Sequence, residues 1–219
     1  MPEPITIVMV GAGGGGLLVE IARRQFRIFK EVIDVVGGAV ALLVFAPVML
    51  LCVVMVKLAD PTGPALFRQV RVGLNGRLFT MYKLRTMYMD AESHGRAIRA
   101  DAGDHRVITI CRWMRRSHLD ELPQLFNILR GDMSLVGPRP ERPELFEEIS
   151  RQLPEFEMRL AVKPGLTGLA QVRNGYDIDD ESLRKKLQLD LQYIEKMSLG
   201  LDCKLLLATA TKFHDHAAR

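Results

Sequence analysis

Cysteine is scarce in this 219-residue chain: Cys52, Cys111 and Cys203 are all there is, and none sits in a CxxC spacing. That excludes a disulfide framework and suits a chain facing a reducing cytoplasm. His94, His105 and His118 lack metal-ligand spacing, so no zinc site is expected. The first 22 residues lack the basic leader of a cleavable signal peptide. A DNA-binding motif is missing too, so nucleic acid is not an expected partner despite the net charge of +4.

What the chain does have is one long apolar run. Residues 35–56 are 22 in a row without a charge or a strongly polar group. As a helix that is about 33 Å, against a hydrocarbon core of about 30 Å, so the run is expected to enter a membrane. Pro47 divides it into halves of about 18 and 14 Å, each too short to cross alone. A proline inside a helix removes a donor and clashes with the preceding turn, which predicts a bend at Ala46-Pro47. Arg23, Arg24, Arg27 and Lys30 precede the run and Lys57, Arg68 and Arg71 follow it. Basic flanks on both sides favour a re-entrant hairpin over a span, which would show positive-inside asymmetry. Ahead of it, the apolar stretch and GAGGGG of residues 5–16 resemble the start of a dinucleotide-binding unit, but the next segment enters the membrane. Residues 1–27 read instead as a short glycine-rich lead-in.

Charge is uneven. Residues 60–119 carry 11 basic against 5 acidic side chains, a surplus suited to anionic headgroups, phosphate-bearing substrates or both. Within it, the alternation of residues 77–85 predicts a strand, with Gly73 and Asn75-Gly76 forming a turn and Arg77, Lys83 and Arg85 on its polar face. That face is either solvated or turned toward phosphate. Residues 90–106 read as a polar surface loop or frayed helix. Apolar residues at 183, 187, 191 and 194 form a helical stripe, and residues 199–213 follow as a short apolar segment for the core or the membrane interface.

Three motifs remain. DELPQLFNILRG (120–131) opens on adjacent carboxylates with Arg115 and Arg116 just upstream. Asp120 is a suitable helix cap and Gly131 a suitable stop, so the pair reads either as capping or as chemistry. In GPRP (137–140) two prolines restrict the backbone around Arg139, lowering the entropy lost when its planar fork grips an anion. KPGLTGLAQV (163–172) sets Lys163 and Thr167 among glycines, in a loop able to approach a ligand.

Taken together, KLRTM, LDELPQLFNILRGDMSLVGPRPERPE, KPGLTGLAQV and KLQLDLQYIEKMSLGLD resemble the bacterial monotopic phosphoglycosyl transferases over roughly residues 28–213. The resemblance implies transfer of a sugar phosphate from a UDP-sugar to polyprenol phosphate, releasing UMP. It places the family's Asp-Glu dyad on Asp120 and Glu121, with the aspartate as nucleophile and Mg²⁺ required. It also places a phosphate-binding arginine on Arg139 and another on Arg115 or Arg116; Lys83 and Arg85 on the strand face and Lys163 in the glycine-containing loop are further expected phosphate or substrate contacts. The implied fold is helix-rich α+β: a re-entrant membrane helix over residues 28–58, broken at Ala46-Pro47, and a cytoplasmic catalytic domain over residues 59–219 with interfacial helices and a small β element. The implied location is the cytoplasmic face of the bacterial inner membrane. Expected partners are its lipid, and a second copy of the chain or downstream glycosyltransferases. ERPE after GPRP matches the longer family members, while Asp104-His105-Arg106 departs from the usual Asp-Pro-Arg. A non-catalytic membrane scaffold and a direct-displacement transferase are the alternatives.

Overall fold

The computed structural model describes residues 15–88, 104–174 and 180–211, with side chains from residue 28 onward. His94 and most of the polar stretch 90–106 lie outside the described residues.

Helix α1 (Gly15–Ala59) carries the apolar run, and a chain turn leads to the antiparallel ribbon of β1 (Leu66–Val72) and β2 (Leu78–Leu84). Asn75 and Gly76 both take positive φ in the connection, as the Asn-Gly pair predicted. Short helices α2 (Arg112–Arg116) and α3 (Gln124–Leu129) flank the acidic pair, and α3 stops where Gly131 enters the left-handed region at φ 79°. A parallel pair follows, β3 (Ser134–Val136) with β4 (Gly165–Thr167). Between them lie α4 (Pro143–Gln152) and a 3₁₀ stretch at Pro154–Ala161. Helices α5 (Leu169–Arg173), α6 (Asp180–Lys196) and α7 (Leu199–Thr211) complete a helix-rich α+β fold.

Helical backbone continues through Ala46 and Pro47, and the helix begins at Gly15, well inside the expected lead-in. Lys30, Asp34, Gly38, Cys52 and Val56 are buried, and Ala41, Leu42 and Met49 pack on the core. These positions fall on one face of a helix, in two groups, residues 30–42 and 49–56, that pack on the body. The opposite face leaves Val36, Val40, Leu43, Val44, Leu50, Leu51 and Leu58 exposed. Glycines permit the close approach, since a Cβ on Gly37 would lie 2.8 Å from Leu135 and one on Gly38 3.1 Å from Ile128.

Charged residues fasten the start of this helix. Lys30 Nζ donates to Asp202 Oδ2 at 2.7 Å, and Asp34 Oδ1 accepts the Leu135 amide at 3.0 Å. The Tyr193 hydroxyl lies 2.8 Å from Asp202 Oδ1 and 2.9 Å from the Val136 carbonyl. This network joins α1, β3, α6 and α7 just before GPRP. Behind it, Leu125, Ile128, Met133, Val136, Leu169 and Leu205 form the main core, and a second cluster around Cys52, Val56, Leu84, Cys111 and Met114 packs the other end of α1.

Candidate active site

The acidic pair sits in a single 3₁₀ turn, Leu119–Glu121, between α2 and α3. His118 enters that turn in the left-handed region at φ 53°, an uncommon conformation for a non-glycine residue, and so reverses the chain abruptly. Asp120 caps nothing. The position before α3 is Pro123, and no side chain caps either helical segment. The capping reading of the acidic pair is thereby removed.

The two carboxylates have opposite surroundings. Glu121 Oε1 accepts Lys83 Nζ at 2.8 Å and Arg139 NH2 at 2.6 Å, while Oε2 accepts Arg139 NH1 at 3.2 Å. The arginine contact is the bidentate fork that suits a carboxylate. Burial disfavours the Glu121 charge, but Arg139 and Lys83 outweigh it and hold its carboxyl well below the ordinary range. Glu121 in turn pushes the Arg139 guanidinium up, whereas burial brings the Lys83 ammonium down. Among the described residues, no side chain donates to Asp120. Burial, and then the adjacent Glu121 charge, push its carboxyl up, while Lys83, Arg115 and His118 pull the other way. One carboxylate is thus committed and its neighbour is open.

Lys83 reaches the pair because β2 turns its odd-numbered side chains inward, Met81 into the core and Lys83 onto Glu121. Asn127 fastens α3 to this strand by donating to the Thr80 carbonyl at 2.7 Å and accepting the Tyr82 amide at 3.1 Å. Of the two upstream arginines, Arg115 is the one beside Asp120, half-buried with NH1 3.3 Å from Thr86 Oγ1; Arg116 is exposed.

Two expected contacts point elsewhere. Arg85 is buried and its NH1 pairs with Asp60 Oδ2, while NH2 donates to the Asp60 carbonyl at 2.7 Å. It therefore secures the corner after α1, and none of its hydrogen bonds reaches the acidic pair among the described residues. The Asp60 carboxyl is lowered first by its Thr62 hydroxyl hydrogen bond. Lys163 Nζ pairs with Glu31 Oε1 of α1 at 2.9 Å, and no contact joins it to the acidic pair among the described residues. The departure at residues 104–106 is a compact unit: Arg106 Nε lies 3.0 Å from Asp104 Oδ1, and this hydrogen bond leads in lowering the Asp104 carboxyl to about 2.

Thr86 is a site neighbour that sequence reasoning did not single out, and His118, weighed there only as a metal ligand, is another member of the site. The run RRSHLDE contains the histidine, but only its left-handed backbone shows why it lies beside Asp120. Thr86 follows Arg85 directly and was legible only as part of KLRTM. The buried Cys52 of α1 lies within electrostatic reach of Asp120, and Leu119 packs on both core clusters, so the pair sits against the apolar helix.

The site thus sets a carboxylate without a side-chain donor among cations and beside a long apolar helix. The bacterial sugar transferase profile matches residues 25–216, and the chain belongs to that family. It is 46% identical over 182 residues to the UDP-glucose:undecaprenyl-phosphate glucose-1-phosphate transferase of Caulobacter vibrioides, covering 82% of this chain and 67% of that protein. It is 40% identical over 184 residues to the UDP-N-acetylgalactosamine-undecaprenyl-phosphate N-acetylgalactosaminephosphotransferase of Aeromonas hydrophila, covering 84% of this chain and 43% of that protein. Against the undecaprenyl-phosphate galactose phosphotransferase of Salmonella typhimurium the identity is 34% over 204 residues, 87% of this chain and 41% of that protein. The chain thus spans well under half of two of these relatives, and their names carry three different sugars.

Proposed function

We propose that this chain transfers a sugar-1-phosphate from a UDP-sugar to polyprenol phosphate, giving a polyprenyl diphosphosugar and UMP, at the cytoplasmic face of the bacterial inner membrane. The observation that carries the reading is the contrast between Glu121, held by Arg139 and Lys83, and Asp120, which accepts no side-chain hydrogen bond among the described residues. Family membership and the relatives' names support the reaction class.

The chemistry follows in two displacements. An Asp120 carboxylate oxygen attacks the sugar-bearing phosphorus of the donor, forming an acyl phosphate, while the bond to the bridging oxygen breaks and its electron pair leaves with UMP. An oxygen of polyprenol phosphate then attacks the same phosphorus and releases the Asp120 carboxylate. Like charges meet in both steps, so Arg139, Arg115 and Lys83 are the groups that offset the phosphate charge. Asp120, with diphosphate oxygens and water, would hold Mg²⁺, which would supply further charge neutralisation; Glu121 would join it only by releasing a contact to Arg139 or Lys83. The apolar helix beside the site supplies the level at which a polyprenol headgroup is met, by a re-entrant path bent within α1.

The test is UMP release by purified protein with Mg²⁺ and a panel of UDP-sugars. Without polyprenol phosphate, one UMP per chain is expected, followed by turnover when the lipid is added. Asp120→Asn should lose at least about a thousandfold of the rate. UMP release that waits for lipid would instead indicate direct displacement, and full activity in Asp120→Asn would refute the nucleophile.

A further inference from the structure

Behind Arg139 lies a second group of charges that the reaction does not use. Arg71 comes from β1, Arg159 from the 3₁₀ stretch, Lys186 and Asp190 from α6, and Glu141 follows the GPRP loop itself. Arg159, Lys186, Asp190 and Glu141 are all buried. Arg159 Nε donates to Asp190 Oδ2 at 2.7 Å, and Lys186 Nζ to Glu141 Oε1 at 2.6 Å. Asp190 Oδ1 is buried without a partner, a cost that a merely space-filling core would not carry.

What these cations do is hold the loop by its carbonyls. The Pro138 carbonyl accepts the Gly165 amide at 2.9 Å, and the Arg139 carbonyl accepts Arg159 NH2 at 2.8 Å. The Pro140 carbonyl accepts Arg71 NH1 at 2.9 Å, and the Glu141 carbonyl accepts the Val72 amide at 3.0 Å. At the loop's start, the Gly137 amide donates to the Thr167 carbonyl at 2.8 Å. Four consecutive carbonyls are therefore each fixed by a different residue. Proline on either side of Arg139 fixes the neighbouring φ angles. Only side-chain torsions are left to the arginine that meets Glu121.

We propose that Arg159, itself held by Asp190, is a positioning residue for Arg139. It fixes the arginine's backbone from behind, so that the guanidinium is aimed before a phosphate arrives. Pre-orientation is what such a contact adds, because misplacement of a charge-stabilising group by about 1 Å can cost about a hundredfold in rate. The Glu141–Lys186 pair holds the far end of the loop against the same helix. This inference rests on the proposed phosphate role of Arg139.

The experiment is a double-mutant cycle read by UMP release from a UDP-sugar, with kcat and KM measured separately. Arg159→Lys keeps the cation but cannot reach Asp190 and the Arg139 carbonyl as one rigid fork. Alone, it is expected to lower kcat/KM about 10- to 100-fold. In an Arg139→Lys background it should cost less than about twofold, because the aimed group is already gone. Equal losses in both backgrounds would overturn the proposal. If Arg159→Lys does not fold, Asp190→Asn takes its place in the same cycle, with the same two outcomes. Amide hydrogen exchange of the variant supplies a readout independent of the reaction. Faster exchange confined to Gly137, Gly165 and Val72, the amides bonded within or onto this loop, supports positioning, whereas unchanged or chain-wide acceleration overturns it. Should wild-type protein release no UMP from any UDP-sugar, the functional reading fails and the exchange result alone decides the positioning.

Discussion

Adjacent carboxylates in the turn at residues 119–121 differ because β2 and the GPRP loop deliver Lys83 and Arg139 to one of them only. Charge placement of this kind also governs Glu141, where burial works against ionisation but Lys186, Arg159 and Arg71 outweigh it and hold the carboxyl at about 2, against 4.5 ordinarily. A lowered carboxyl contributes stability that is complete above the unfolded-state value and is lost as pH falls through the folded-state value. The window is therefore roughly pH 5 down to pH 2, and the full contribution is about 3 kcal/mol. Denaturant unfolding of wild-type protein and Glu141→Gln at pH 5 and pH 3 checks this. The stability gap between them should shrink by about 2 kcal/mol toward pH 3; a gap independent of pH would mean that Glu141 is not ionised against Lys186.

Elements differ in how plainly the sequence announces them. The β1–β2 ribbon was legible because alternation and an Asn-Gly turn are local signals, and α6 because its stripe runs for about three turns. The parallel pair β3–β4 was not, since three residues per strand are too few for a period and the partners lie about thirty positions apart. The site followed the same division. Asp120, Glu121 and Arg139 stood out as motifs, but the diversion of Arg85 depends on Asp60, 25 residues away, and only folding brings them together. Close backbone approach makes the hidden pair fragile: a Cβ on Gly165 would lie 2.0 Å from the Gly137 amide nitrogen and 2.5 Å from the Thr167 carbonyl oxygen. Backbone cannot give way as a side-chain tip does, so Gly165→Ala should cost at least about 3 kcal/mol. Gly200→Ala in α7, where a Cβ meets nothing within 4 Å, should stabilise by about 0.5–1 kcal/mol. Thermal unfolding of both variants in one detergent measures the contrast, and equal effects would remove the close-approach argument.

At the scale of the whole molecule, α1 is tied to one folded body at both ends of its apolar stretch. Lys30 and Asp34 bind Asp202 and the Leu135 amide near its start, and Cys52 and Val56 pack with Cys111 and Met114 near its finish. A conventional span places its two ends on opposite sides of the bilayer, about 30 Å apart, which would draw the body and its buried charge pairs into hydrocarbon. Under the proposed function, resting one helical face on the body and the other against lipid would avoid that cost, and it would keep Asp120 beside the apolar helix with its cations open to a nucleotide from the cytoplasm. Single cysteines at Glu31 and Ala59, both exposed positions bracketing the run, test this in a Cys203→Ser background that leaves Cys52 and Cys111 buried. A membrane-impermeant maleimide should label both in inverted inner-membrane vesicles and neither in spheroplasts, while a cysteine at Leu43, 77% exposed on the outer face, should react in neither. Labelling of one end from each side would establish a span, and the active site would then have to meet its lipid substrate by another route.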